Sequence, residues 1–192
     1  DNTTSRAYGW KADEFGSLPV YFDDARNAST AALKKAFPKS HVQLQDRSDD
    51  STMVLFRTEG KGDAGTWYQM DLVTRSAGPI GKERPEIAAN RVGEIRVIEY
   101  TARDGLAMEM IVTLPPGLEP KNLPVIMLPH GGPHVHDEPR WDWWAQSLAS
   151  RGYVVVQPNY RGSTNKDRVF EEAGYGEWGA KMQTDLSDAL AH

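Results

Sequence analysis

The feature that most constrains the fold is a short apolar run that breaks into a glycine turn. Val125–Leu128 is bounded by prolines, and His130-Gly131-Gly132-Pro133 follows it closely. Such a run is typical of a strand buried on both faces of a parallel sheet. Adjacent glycines bring bare N–H groups close to a ligand. An N–H in a cleft at the end of a strand can stabilise an oxyanion, although a plain strand-to-helix turn has the same residues.

The residues after this turn predict a βαβ unit. A helix is expected between Arg140 and Arg151, and Tyr153–Gln157 is a second buried-strand pattern. Strand, helix and strand in this order imply a parallel pair. Upstream, Ile95–Tyr100 and Leu106–Leu114 predict an antiparallel hairpin. In the helix expected between Arg140 and Arg151, one face should pack on the sheet, and its residues are Trp141, Trp144, Ala145, Leu148 and Ala149.

The first 92 residues read as β-rich. Strands at Met53–Phe56 and Trp67–Val73 flank a glycine-rich loop, which predicts one hairpin of a sandwich or of a propeller blade. Tyr68, Met70 and Leu72 are expected on one face of the second strand. A short helix is expected to begin at Ser29 or Thr30 and to end near Phe37. Residues 76–93 are rich in Gly, Pro and charge without periodicity, so we predict the domain boundary there.

Composition excludes several classes of protein. The net charge of −5 and the absence of long Lys/Arg clusters argue against a nucleic-acid partner. No apolar run reaches membrane-span length, so no membrane partner is expected. The chain has no cysteine, which excludes disulfides and thiolate chemistry but selects no compartment. The chain begins with Asp and stops within a helical pattern, so we expect it to be a piece of a longer protein.

Several motifs in chain order then make the resemblance specific. The series resembles the prolyl oligopeptidase family of serine peptidases, within it the acylaminoacyl-peptidase and dipeptidyl-aminopeptidase-like branch. The resemblance is strong from about Ile95 onwards and weaker before it. The segments that carry it are Tyr100–Gly105, Leu114–Gly117, His130–Pro133, Asn159–Ser163, Gly174–Gly176 with Trp178-Gly179, and Asp185 with Asp188.

This resemblance implies a fold and a division into domains. Residues 1–92 would be the C-terminal part of a β-propeller domain, and residues 93–192 the N-terminal part of an α/β-hydrolase peptidase domain. The intact protein would hydrolyse short peptides by acyl transfer, with no cofactor and no metal. Its partners would be the peptide substrate and the remainder of the parent chain.

The resemblance also implies roles for individual residues. The backbone N–H of Gly131 would be an oxyanion donor, and His130 would shape its loop. The candidate substrate-binding residues are His130 and Gly132 in this loop, and Tyr160 and Arg161, which follow a strand end where open α/β sheets bind ligands. The family's nucleophile lies in a Gly-x-Ser-x-Gly motif, which this sequence lacks. No triad residue is therefore expected in the chain, and the chain alone should be inactive.

Alternative interpretations remain open at this point. Ser163 is expected to be a turn hydroxyl, and Asp185 an exposed or capping helix residue. Arg161 fits either substrate contact or a carboxylate pair that holds its loop. A metal site could be formed by His134, His136, Asp137 and Glu138, but a solvated loop is favoured. The whole protein could also be a non-catalytic binding module with the hydrolase fold, or a carboxylesterase without a propeller.

Overall fold

The computed structural model describes residue 7 and residues 9–10, 18–38, 40–60 and 62–192. Its contacts divide the chain into two compact units, Asp1–Ala89 and Asn90–His192. Within the described ranges, no helix has the length and apolar character needed to cross a bilayer.

The elements of the first unit are β1 (Gly9–Trp10), β2 (Val20–Tyr21), α1 (Asp24–Ala36), β3 (Ser40–Arg47), β4 (Met53–Gly60), β5 (Asp63–Asp71) and β6 (Ser76–Lys82). Four of the strands form an antiparallel sheet in the order β3-β4-β5-β6. The core lies on one face of β4, where Val54 and Phe56 pack with Leu33 of α1.

The predicted hairpin of this unit is confirmed. β4 pairs with β5 in antiparallel register, with Phe56 opposite Tyr68. Tyr68, Met70 and Leu72 all pack against the core, as their alternation indicates. Phe56 and Tyr68 stack at 5.2 Å between ring centroids. The cross-strand aromatic pair thus fixes the register that buries this face.

Two details of this unit differ from the prediction. Strand β6 lies in the segment that we interpreted as an aperiodic boundary, and all its residues are exposed. An edge strand without a buried face leaves no apolar alternation to detect. Helix α1 begins at Asp24 and is capped by Asp23, whose carboxylate accepts a hydrogen bond from the N–H of Arg26 at 2.8 Å. Ser29 and Thr30 lie inside the helix, so they do not cap it.

The elements of the second unit are β7 (Ile95–Thr101), β8 (Ala107–Thr113), β9 (Val125–Met127), α2 (Trp143–Ala149), β10 (Val154–Asn159), α3 (Arg168–Glu172) and α4 (Lys181–Ala191), and a 3-10 turn at Ala89–Arg91 precedes them. The four strands form a sheet in the order β7-β8-β10-β9. β7 and β8 form the predicted antiparallel hairpin, and β9 and β10 form the predicted parallel pair across α2. The face of β8 that carries Met108, Met110 and Val112 is buried in the main core.

One expectation about burial in this unit is wrong, and a second, the packing face of α2, is confirmed for Ala145, Leu148 and Ala149 but wrong for Trp144. β9 is an edge strand, and its Val125 is 46% exposed, so it is not buried on both faces. Helix α2 is shorter than predicted and packs through Ala145 and Ala149 on Val155. Trp144 is 54% exposed and pairs edge-to-face with a tryptophan beside it instead of covering the sheet. Successive residues lie about 100° apart around a helix, so a face centred on Ala145 and Ala149 leaves Trp144 at its margin.

No strand among the described residues pairs with the outer edge of β9, which leads to a prediction about association. Unpaired strand edges pair with other chains, and an apolar side chain at the edge favours this. We expect the isolated chain to form oligomers as its concentration rises, which light scattering after size-exclusion chromatography would detect. Val125→Lys places a charge on this edge and should shift the population towards monomer. A clean wild-type monomer at every concentration would contradict the prediction.

Candidate active-site loop

The loops that follow β9 and β10 meet at the carboxyl ends of these parallel strands. Open α/β sheets bind ligands at this edge. A cavity of about 290 Å³ lies here, which is near the small end of the range for ligand pockets. It is lined by Pro129, His130, Gly132, Pro133, Tyr160, Trp178, Gly179, Met182, Gln183 and Leu186.

His130 joins the two loops. Its ring stacks on Tyr160, with 4.5 Å between centroids and 14° between planes. Ring Nε2 lies 2.9 Å from the hydroxyl of Ser163, and ring Nδ1 lies 2.8 Å from the carbonyl oxygen of Gly131. The Tyr160 hydroxyl donates to the backbone carbonyl of His130 at 2.8 Å. Both the side chain and the main chain of His130 are therefore held by the loop after β10.

The two glycines of the turn have different surroundings. A Cβ on Gly131 would meet no heavy atom within 4 Å, and Gly131 is exposed. Gly132 has a φ of +117°, and a Cβ there would lie 2.9 Å from the backbone nitrogen of His134. The turn therefore requires glycine at 132 on conformational grounds, whereas position 131 has room for a side chain. Among the residues that the structure describes, none accepts a hydrogen bond from the N–H of Gly131.

Ser163 has the structural role that the sequence predicts. Its side chain is fully buried, and its hydroxyl lies 2.6 Å from the carbonyl oxygen of Tyr160, to which it donates. This closes the turn at the end of β10. The contact with the His130 ring adds a link that the sequence alone did not indicate.

Arg161 lies at the centre of a buried ion-pair cluster. Its Nε and Nη2 donate to the two carboxylate oxygens of Asp185 at 2.8 and 2.7 Å, and Nη1 donates to Asp104 at 2.9 Å. Only 5% of the Arg161 side chain and none of the Asp185 side chain is exposed. These contacts favour the second of the two roles considered for Arg161, a pair that holds its loop.

The charges in this cluster shift the pKa values of the groups around them. Hydrogen bonds from Arg161 lower the pKa of Asp104. Bonds to Asp185, and then to Asp104, raise the pKa of Arg161. Burial, and then the charge of Asp185, raise the pKa of Tyr100, so this phenol stays protonated. The expectation that Asp185 is an exposed or capping residue is wrong, because its carboxylate is the buried partner of a guanidinium.

The four residues considered as metal ligands, His134, His136, Asp137 and Glu138, do not converge on one point. His134 Nδ1 lies 3.1 Å from Glu171, and His136 Nδ1 lies 2.8 Å from the hydroxyl of Thr164. Burial raises the pKa of Asp137, whose N–H donates to the Asn159 side chain. Over the described ranges, no three His, Asp or Glu side chains are arranged as metal ligands.

Comparison with known proteins identifies the family that these loops resemble. The sequence model of the Prolyl oligopeptidase family matches residues 139–192. Dipeptidyl aminopeptidase BIII of Pseudoxanthomonas mexicana is 33% identical over 88% of the chain, which covers 25% of that enzyme. The predicted resemblance to the prolyl oligopeptidase family is thereby confirmed.

Solved structures of this family resemble the chain in fold. A puromycin-hydrolyzing peptidase of Mycobacterium tuberculosis superposes with a TM-score of 0.61 and 22% identity, over 78% of the chain and 24% of that protein. Prolyl oligopeptidase B of Galerina marginata superposes with a TM-score of 0.63 and 16% identity, over 78% of this chain and 22% of that protein. The chain spans about a quarter of the length of these relatives.

Proposed function

We propose that the chain is a segment of a serine peptidase of the prolyl oligopeptidase family. Residues 93–192 would be the N-terminal part of its α/β-hydrolase domain, and residues 1–92 the C-terminal part of a β-propeller. The sheet with a parallel pair across α2 supports the first assignment. The antiparallel sheet β3-β4-β5-β6 supports the second, because each propeller blade is a four-stranded sheet.

The intact enzyme would hydrolyse short peptides by acyl transfer. A serine would attack the substrate carbonyl, a histidine would take its proton, and an aspartate would orient the histidine. These three residues would be supplied by the parent chain outside residues 1–192. The contribution of this segment is the stabilisation of the negative charge that develops on the carbonyl oxygen.

The observation that carries this proposal is the N–H of Gly131. It belongs to an exposed glycine without a side chain, at the carboxyl end of β9 and next to residues that line the cavity. No described residue accepts its hydrogen bond. Such an N–H can bind an oxyanion without first breaking a hydrogen bond within the protein. We assign it as one donor of the oxyanion hole.

The other residues of the loops have supporting roles in the proposal. His130 and Gly132 line the cavity and would contact the substrate near the scissile bond. Tyr160 also lines it, while its hydroxyl is already used by the main chain of His130. Arg161 would hold the loop through Asp185 and Asp104 without touching substrate.

The proposal predicts that activity requires residues outside this chain. The parent protein should cleave aminoacyl-p-nitroanilides and be blocked by a serine-directed fluorophosphonate, because a lone oxyanion donor without a nucleophile gives little turnover. Residues 1–192 alone should show neither turnover nor labelling. Turnover by the purified chain that the fluorophosphonate abolishes would contradict the assignment. A parent protein without a reactive serine would favour a binding module, and one that cleaves esters but not amides would favour a carboxylesterase.

A further inference from the structure

The peptide unit between His130 and Gly131 contains two groups with different partners. Its carbonyl oxygen, from His130, accepts the hydrogen bond of the Tyr160 hydroxyl at 2.8 Å. Its N–H, from Gly131, has no acceptor in the described part of the chain. Among the described residues the cis peptide bond is the one between Gly132 and Pro133, so the unit at His130 is trans. In a planar trans peptide, C=O and N–H point in opposite directions.

We propose that Tyr160 is a positioning residue for the oxyanion donor, acting through the carbonyl of His130 to fix the direction of the Gly131 N–H. The inference rests on the proposed function and adds to it a residue that sets the geometry of the hole. Because one rigid plane contains both groups, a donor that holds the carbonyl also holds the N–H on the opposite side. Oxyanion stabilisation depends on donors that are already oriented when charge develops.

The surrounding sequence explains why such a restraint is needed. Gly131 and Gly132 are adjacent, and glycine backbones rotate through conformations that other residues do not reach. The His130–Gly131 plane is therefore free to rotate unless a contact opposes it. Pro133 follows the glycines and is buried, but it restrains the far end of the turn. The hydrogen bond from Tyr160 acts directly on the plane that contains the donor.

Tyr160 is itself held rigidly enough for this task. It is 9% exposed and follows β10, which is paired on both sides. Its ring stacks on the His130 ring, and its carbonyl accepts the hydroxyl of the buried Ser163. Burial, and then the charge of Asp137, raise the pKa of Tyr160, which keeps the phenol protonated and able to donate. The ring stack on His130, the hydrogen bond from Ser163 and the hydrogen bond to the His130 carbonyl together fix the two loops relative to each other.

The test uses the full-length parent with Tyr160→Phe, which removes the hydroxyl and keeps the stacked ring. A peptide boronate measures binding of a tetrahedral, oxyanion-bearing adduct. A reduced-peptide isostere, with CH₂ in place of the scissile carbonyl, measures binding without that oxygen. We expect boronate affinity and kcat/KM both to fall about tenfold, the value of one lost hydrogen bond, with isostere affinity unchanged. The matched control is Tyr153→Phe, which removes a hydroxyl outside these loops and should change none of the three quantities.

A second variant restores the contact. 4-Aminophenylalanine at position 160 places an N–H donor where the phenol was, and we expect boronate affinity within about threefold of the wild type. It also provides the measurement if the phenylalanine variant does not fold. Unchanged boronate affinity in Tyr160→Phe would overturn the inference, as would equal losses for boronate and isostere, which would make Tyr160 a general substrate contact. A wild-type parent that neither turns over nor binds the boronate would instead overturn the proposed function.

Discussion

Gly131→Val in the full-length peptidase is expected to lower turnover per active site by about 100- to 1,000-fold, the usual effect of losing one oxyanion donor. A branched side chain at this position would keep the substrate carbonyl away from the N–H of residue 131. The fold should be unaffected, because a Cβ at Gly131 meets no heavy atom within 4 Å. The measurement is turnover per fluorophosphonate-titratable site, made beside a melting curve.

The neighbouring glycine provides the matched control for this experiment. Gly132 has a φ of +117°, and an added Cβ would lie 2.9 Å from the nitrogen of His134. Gly132→Val is therefore expected to lower the melting temperature, with activity lost as folded protein is lost. If Gly131→Val behaves in this way and keeps its turnover per site, Gly131 is a turn residue and the oxyanion assignment fails.

Asp185→Asn is expected to cost about 3–5 kcal/mol of folding free energy, the usual effect of breaking a buried ion pair by removing one partner. The substitution leaves the guanidinium of Arg161 buried with one charged partner, Asp104, in place of two. Asparagine has nearly the same shape as aspartate, so the loss reports charge and not packing. In the full-length protein we expect the melting temperature of the unit that contains α4 to fall by roughly 10 °C.

A second aspartate on the same helix makes the comparison specific. Asp188 pairs with Arg103 at 2.6 Å, but 63% of the Arg103 side chain is exposed. Ion pairs exposed to solvent contribute little to the free energy of folding, and salt screens them. Asp188→Asn should therefore lower the melting temperature far less, and by an amount that shrinks in high salt. Equal losses for both variants would show that burial of the Arg161 pair has no special weight.

The burial of Asp185, though not its partner, could have been predicted from helical spacing. Met182, Asp185, Leu186 and Ala189 stand at i, i+3, i+4 and i+7, which is one face of a helix. Met182 and Ala189 are buried on this face, and Asp185 lies between them on it, although we expected Asp185 to be exposed or to cap the helix. Charged residues are seldom buried without a partner. The partner, Arg161, lies in a separate loop, and helical spacing alone does not indicate which loops meet.

Other features of the fold depended on where each strand lies in its sheet. The alternation in β5 predicted its buried face correctly, since Tyr68, Met70 and Leu72 all pack against one core. β9 and β10 have similar apolar runs, yet β10 is central and β9 lies at the edge. The apolar run predicts a strand, and the order of the strands decides its burial.

The ion pairs that join the turn between β7 and β8 to the loop after β10 and to α4 also determine when this part of the molecule can be completed during synthesis. The hairpin β7–β8 is local and can form as soon as its residues are available. Asp104 can pair with Arg161 only after 57 more residues have been synthesised, and Arg103 can pair with Asp188 only after 85 more. Contacts between distant residues form late because the intervening loop must first close. The wall of the cavity formed by α4 is therefore among the last parts of this unit to assemble on the ribosome.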